Sequence, residues 1–133
     1  MRIAVGCLKN EKGQSLIEFS IILPLLLLVV MGMVEFGMRL NSYLAINNAA
    51  REGARAGIVG CSDVEIESIV ITASPVLNTE NLIVTVTPDY ASRNSGDTLT
   101  VRVVYNYHLT VPIISGIFNN PVIMNAQVSM RIE

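Results

Sequence analysis

Residues 19–34, FSIILPLLLLVVMGMV, are sixteen consecutive positions without a charged side chain. No other feature limits the fold as much. Carried back to Gln14, the run becomes 21 residues interrupted only by Glu18. A helix that crosses a bilayer needs about 20 mostly apolar residues, each rising about 1.5 Å. The segment is therefore read as a membrane span, not as the buried helix of a soluble core. Arg2, Lys9 and Lys12 outnumber Glu11 ahead of it. Short basic flanks stay in the cytoplasm, so the N terminus is expected inside and everything beyond about Arg39 outside. A secretory signal shares this layout but needs a small-residue cleavage site after the apolar core. Here the run passes into Glu35, Phe36, Gly37, Met38 and Arg39, with no such site. Cys7 follows Val5 and Gly6 as in a lipid-attachment motif, but no apolar run precedes it.

The rest of the composition removes whole classes of function. Charged residues make up 15% of the chain, against about 25% in an ordinary soluble domain. The net charge of -2 gives no basic footprint for nucleic acid. Cys7 and Cys61 are too few for a disulfide framework, and His108 alone cannot build a histidine metal site. No glycine-rich phosphate loop and no nucleophile–His–acid set can be assembled from the residue order. No enzyme activity, cofactor, metal or small-molecule substrate is expected.

Two residues in the apolar segment need reasons. Pro24 lacks an N–H and loosens the helix about one turn before it. Glu18 is an ionisable group at the membrane, where such groups cost about 2.5–3.5 kcal/mol at a helix centre and less near its end. It is either a carboxylate snorkelling to the cytoplasmic headgroups or one that finds a positive partner after processing.

The stretch from Lys12 to Phe19, KGQSLIEF, looks like a prepilin peptidase site. It has a basic residue, a Gly, four residues, then Glu and an aromatic, and it opens an apolar helix. With its continuation, and with NNAAREGARAG at residues 47–57, the chain resembles the TadE-like family, the minor pseudopilins of tight-adherence (Tad/Flp) pilus machines. The resemblance covers residues 13–57 closely. It implies cleavage between Gly13 and Gln14 by a prepilin peptidase of the bacterial inner membrane, with Lys12 and Phe19 as context. It also implies that Glu18, fifth in the mature chain, guides assembly. The partners it implies are that peptidase, other Tad pseudopilins, the major pilin and assembly platform proteins. The sequence departs from the Phe or Met that commonly begins other mature type IV pilins, because Gln14 would stand there and can cyclise.

After the apolar run, Glu35 and Arg39 are spaced to pair across one helical turn. The helix is expected to continue to Gly57, so that residues 14–57 form one rod about 66 Å long, with residues 14–38 in the membrane. Ala45, Ala49, Gly53 and Gly57 form a ladder at steps of four. It admits close packing on the chain's own sheet or on a neighbouring subunit's helix. Gly57 and Gly60 end the helix. Ser62 with Glu65 fits a capping box, so a short second helix is expected over residues 63–76, closed by Pro75. Asp63, Glu65 and Glu67 are read as charges at that helix start, not as a metal cage.

Three runs then alternate apolar and polar, residues 82–87, 98–109 and 122–132. Leu99, Val101, Val103, Tyr105, Tyr107 and Leu109 share one face of the second. Val122, Met124, Ala126, Val128, Met130 and Ile132 share one face of the third. Period-two alternation means an antiparallel sheet buried on one side. A turn is expected at residues 94–97. His108 falls on the polar face and is read as solvated. Residues 110–121, TVPIISGIFNNP, would form an apolar loop that folds back on the helix as core or docks on a membrane or a neighbour.

The expected fold is α+β and type IV pilin-like: a long N-terminal helix packed on an antiparallel sheet of about three strands, with a short second helix. The expected organisation is a cytoplasmic leader at 1–13, the long helix at 14–57 and an extracytoplasmic head at 58–133. Removing the leader would leave a mature charge of about -4. Two functional readings follow. One is a processed minor pseudopilin acting in pilus assembly or initiation. The other is a permanently anchored periplasmic accessory protein that is neither cut nor polymerised. With Cys7 lost in the leader, Cys61 would have no partner in the mature chain and is expected near the surface.

Overall fold

The computed structural model describes residues 11–133. Arg2, Cys7 and Lys9, and with them most of the expected leader, lie outside the described residues. The element order is α1 (Glu11–Ile58), α2 (Asp63–Ala73), β1 (Leu82–Thr87), β2 (Thr98–Tyr107), α3 (Pro112–Ser115) and β3 (Val122–Arg131). The layout is α+β, with a long apolar N-terminal helix, a short second helix and a three-stranded antiparallel sheet in the order β1-β2-β3. Two compact units divide between Val34 and Glu35.

In the first unit, α1 carries the uncharged run, and its most apolar window has a mean hydropathy of 2.5 with none of it buried within the chain. The helix is long and apolar enough to cross a membrane. It runs unbroken through Pro24, which leaves the Ser20 carbonyl without its usual donor four residues on. Among the described residues the helix already includes Glu11, Lys12 and Gly13, ahead of the expected first residue Gln14.

In the second unit, the remainder of α1 presents a stripe at helical spacing. Glu35, Ser42, Ile46, Ala49, Ala50, Ala54 and two glycines of the ladder are buried along it. Ile66 and Val70 of α2 meet that stripe, and alternate residues of β2 and β3 complete the core. The β2 face expected to be buried is buried from Leu99 to Tyr107. On β3 only Met124 and Ala126 are fully covered, and the outer members of the expected face are half-buried.

Several ends differ from the sequence reading for local reasons. The Ser74 N–H caps the Ile71 carbonyl, so α2 stops at Ala73, before Pro75. Strand β2 stops at Tyr107 because Val122 is the first residue of β3 to face it. Beyond that point the Leu109 N–H donates to the Asn120 side chain at 3.2 Å instead of to a strand. The turn at residues 94–97 forms, with the Asp97 N–H on the Asn94 carbonyl at 3.1 Å and Gly96 at a φ of 92°. That φ lies in the region glycine enters without penalty. Ahead of the turn, the connection from β1 includes a 3-10 turn at Tyr90–Ser92.

Among the described side chains of residues 110–121, the expected fold-back as core is not seen. The segment forms the single turn α3, and Ile113, Ile117 and Phe118 stand exposed.

Candidate functional site

Gly13 and Gln14 lie within the described part of α1, which is helical from Glu11. Lys12 precedes the bond between them within the helix, and Phe19 lies one turn beyond Ser15, with its ring exposed. The Gln14 side-chain amide donates to Glu18 Oε1 at 3.3 Å. Both groups are exposed, so this contact can be exchanged for a stronger donor. An ammonium in place of the amide would make a charge-assisted bond, about twice as strong as a neutral one.

The ladder divides in use. Ala45 is half-buried, and Ala49 is fully covered by the chain's own core. A Cβ on Gly53 would lie 2.6 Å from Val70 Cγ2, and one on Gly57 only 2.1 Å from Leu99 Cδ2. These two glycines let α1 approach α2 and β2 more closely than any larger residue allows. Pro24 is distant in sequence from this contact, in the apolar part of α1.

The sequence reading missed the environment of Glu35. Among the described residues no ion pair joins it to Arg39. Glu35 is 4% exposed and accepts from the Tyr107 hydroxyl at 2.9 Å and from the Thr110 N–H at 3.4 Å. Its Oε2 has no hydrogen-bond partner. Burial first, then the bond to Glu35 and that carboxylate's charge, push the Tyr107 hydroxyl up to about 12. The available signal was positional, since Glu35 stands seven residues before Ser42 and eleven before Ile46 on the buried stripe.

A second tie joins α2 to the connection between β1 and β2. Arg93 forms an ion pair with Asp63, and its other nitrogens donate to the carbonyls of Cys61 at 2.8 Å and Pro88 at 3.1 Å. Asp63 also accepts the Tyr90 N–H at 3.0 Å. Glu65 completes the capping box, taking the Ser62 N–H at 2.8 Å. That backbone bond, with the Ser62 hydroxyl second, holds the Glu65 carboxyl below its ordinary range. The acidic residues at this helix start are thus occupied in local structure, apart from Glu67, which is exposed. Cys61 is a free thiol, partly exposed and partly packed against the core. His108 is exposed. Among the described residues no group of three or more His, Cys, Asp or Glu side chains is placed to hold a metal.

Comparison with curated proteins gave no match, and comparison with solved structures gave none either. A family model does match, over residues 13–55. Those residues hold the Gly13–Gln14 bond, Glu18, the uncharged run and most of the small-residue ladder, and over them the chain is similar to TadE-like proteins.

Proposed function

We propose that this chain is a minor pseudopilin of a Tad/Flp type IV pilus, cut after Gly13 and then drawn from the membrane into the pilus or its initiating complex. The family match over residues 13–55 carries this reading, because it spans the cleavage motif and the helix together. The long apolar helix supports a single-pass membrane protein, with its head on the far side from the basic flank. The partners are a prepilin peptidase, sibling pseudopilins, the major pilin and the assembly platform.

In a staggered array of parallel helices, Glu18 of one subunit meets the new Gln14 amine of the next. Two unit charges at 4 Å gain about 4 kcal/mol at an effective dielectric of 20, before desolvation. The exposed Gln14–Glu18 contact within one chain is weaker and yields to that pairing. Glu18→Gln is expected to be cleaved normally and to enter assemblies poorly. Gly13→Leu is expected to block maturation, because a bulky side chain crowds a site shaped for none. A Glu18→Gln chain that assembles like the native one refutes the pairing. A mature band of normal length from Gly13→Leu refutes the processing.

A further inference from the structure

Residues 110–121 contain no charged side chain, and the structure exposes three of their large apolar groups: Ile113 by 57%, Ile117 by 73% and Phe118 by 63%. Such a cluster costs free energy in water unless something covers it. The loop is held at a defined place in its unit. The Thr110 N–H and the Tyr107 hydroxyl both bond Glu35, and Glu35 follows directly on the last residue of the uncharged run. We propose that this loop docks on the lipid surface at the point where α1 leaves the bilayer, with Ile113, Ile117 and Phe118 entering the headgroup–acyl boundary.

The proposal rests on the reading of α1 as a membrane span. If Val34 ends the apolar segment, a loop one hydrogen bond from Glu35 starts at the level of the interface. The loop's chemistry suits that depth. Interfacial segments bury apolar side chains about 5–10 Å into the boundary and keep polar groups toward water. Here Asn119 and Asn120 are exposed beside Phe118 and can meet headgroups. The backbone is partly satisfied from within, through Ser115 N–H to the Val111 carbonyl at 3.0 Å and Leu109 N–H to Asn120 at 3.2 Å. Arg39, one helical turn beyond Glu35 and exposed, adds a cation for lipid phosphates. The loop holds no charge to complement a protein partner.

The chain contains no Trp, so one introduced Trp reports depth without interference. The full chain is reconstituted in phosphatidylethanolamine–phosphatidylglycerol vesicles with bromines placed high or low on the acyl chains. Four variants are compared: Phe118→Trp, Ile117→Trp, Val59→Trp and Leu27→Trp. Val59 is 79% exposed and follows the far end of α1, about 35 Å from Glu35 along the helix. Shallow bromines are expected to quench Phe118→Trp several-fold more than Val59→Trp, and deep bromines are expected to quench Leu27→Trp. Ile117→Trp should behave as Phe118→Trp does, which guards against a local misfold. If Leu27→Trp is quenched and positions 117 and 118 are quenched no more than 59, the docking is wrong and the span stands. If Leu27→Trp is not quenched either, the span fails and the docking falls with it. Shielding of position 118 only when other pilus proteins are added would identify a protein occupant and overturn the proposal.

Discussion

Replacing Gly53 by Ala measures how closely α1 lies on the rest of its unit. In an open helix, Gly→Ala stabilises by about 1 kcal/mol, through lost backbone freedom in the unfolded chain. At Gly53 the new Cβ would stand 2.6 Å from Val70 Cγ2, 3.3 Å from Ile66 Cγ2 and 3.4 Å from Val101 Cγ1. Val70 and Val101 are fully buried and β-branched, so neither can swing its methyl groups away cheaply. Overpacking of this kind costs about 1–3 kcal/mol. Gly37 provides the comparison, because a Cβ there meets nothing within 4 Å. The two Ala variants share the helix gain, so their difference isolates the crowding, about 1–3 kcal/mol in favour of Gly37→Ala. With a urea dependence of about 1–3 kcal/mol per molar, the midpoints should separate by about 1 M. The assay is urea unfolding of the full chain in detergent, followed by near-ultraviolet circular dichroism of the tyrosines. Equal midpoints would mean that the helix does not approach α2 and β2 this closely, and that the ladder is free for another helix.

Other outcomes follow from the side-chain ties. Tyr107→Phe removes the hydroxyl from buried Glu35 and should cost about 1.5–3 kcal/mol, read in the same urea assay. Because the folded Tyr107 hydroxyl is raised to about 12, its contribution is complete below its ordinary value near 10 and is lost as pH rises through 12. A native stability profile that falls over that window, and a flatter one in Tyr107→Phe, would confirm the sign. The lowered Glu65 carboxyl works in the opposite direction: its contribution is present above the ordinary carboxylate range and is lost as pH falls through the folded value. Acid titration of Glu65→Gln should therefore show a weaker loss than the native chain. Ser62→Ala, which deletes the other half of the capping box, should cost about 1 kcal/mol at neutral pH.

What the sequence reveals depends on how far apart the interacting residues lie. The alternation of β2 and β3 is local, so their buried faces can be read before any partner is known. The Ser62–Glu65 box is three residues wide and equally plain. The uncharged run marks its helix by length alone. Glu35 reads instead as an acid spaced to pair with Arg39, because the hydroxyl that claims it is 72 residues away. The tie between Arg93 and Asp63 crosses 30 residues and leaves no pattern in either segment. For residues 110–121, composition shows that the side chains are apolar. Only the path of the chain after Tyr107 shows that the core does not cover them. At the proposed cleavage motif, the identity of Gly13, Gln14 and Glu18 is legible. That α1 is already helical before the Gly13–Gln14 bond is a property of the folded chain.

In the proposed function the chain is processed between Gly13 and Gln14 before it acts. Terminal sequencing and intact mass of the native protein extracted from membranes test this most directly. The expected result is a mature chain that begins at Gln14 and lacks the leader's net charge of +2. The proposed pairing with Glu18 further calls for a free amine there in working assemblies. A chain that still begins at Met1, or a Gln14 wholly cyclised in functional complexes, would contradict it. The first result would leave a permanently anchored protein, and the second would leave Glu18 without its partner.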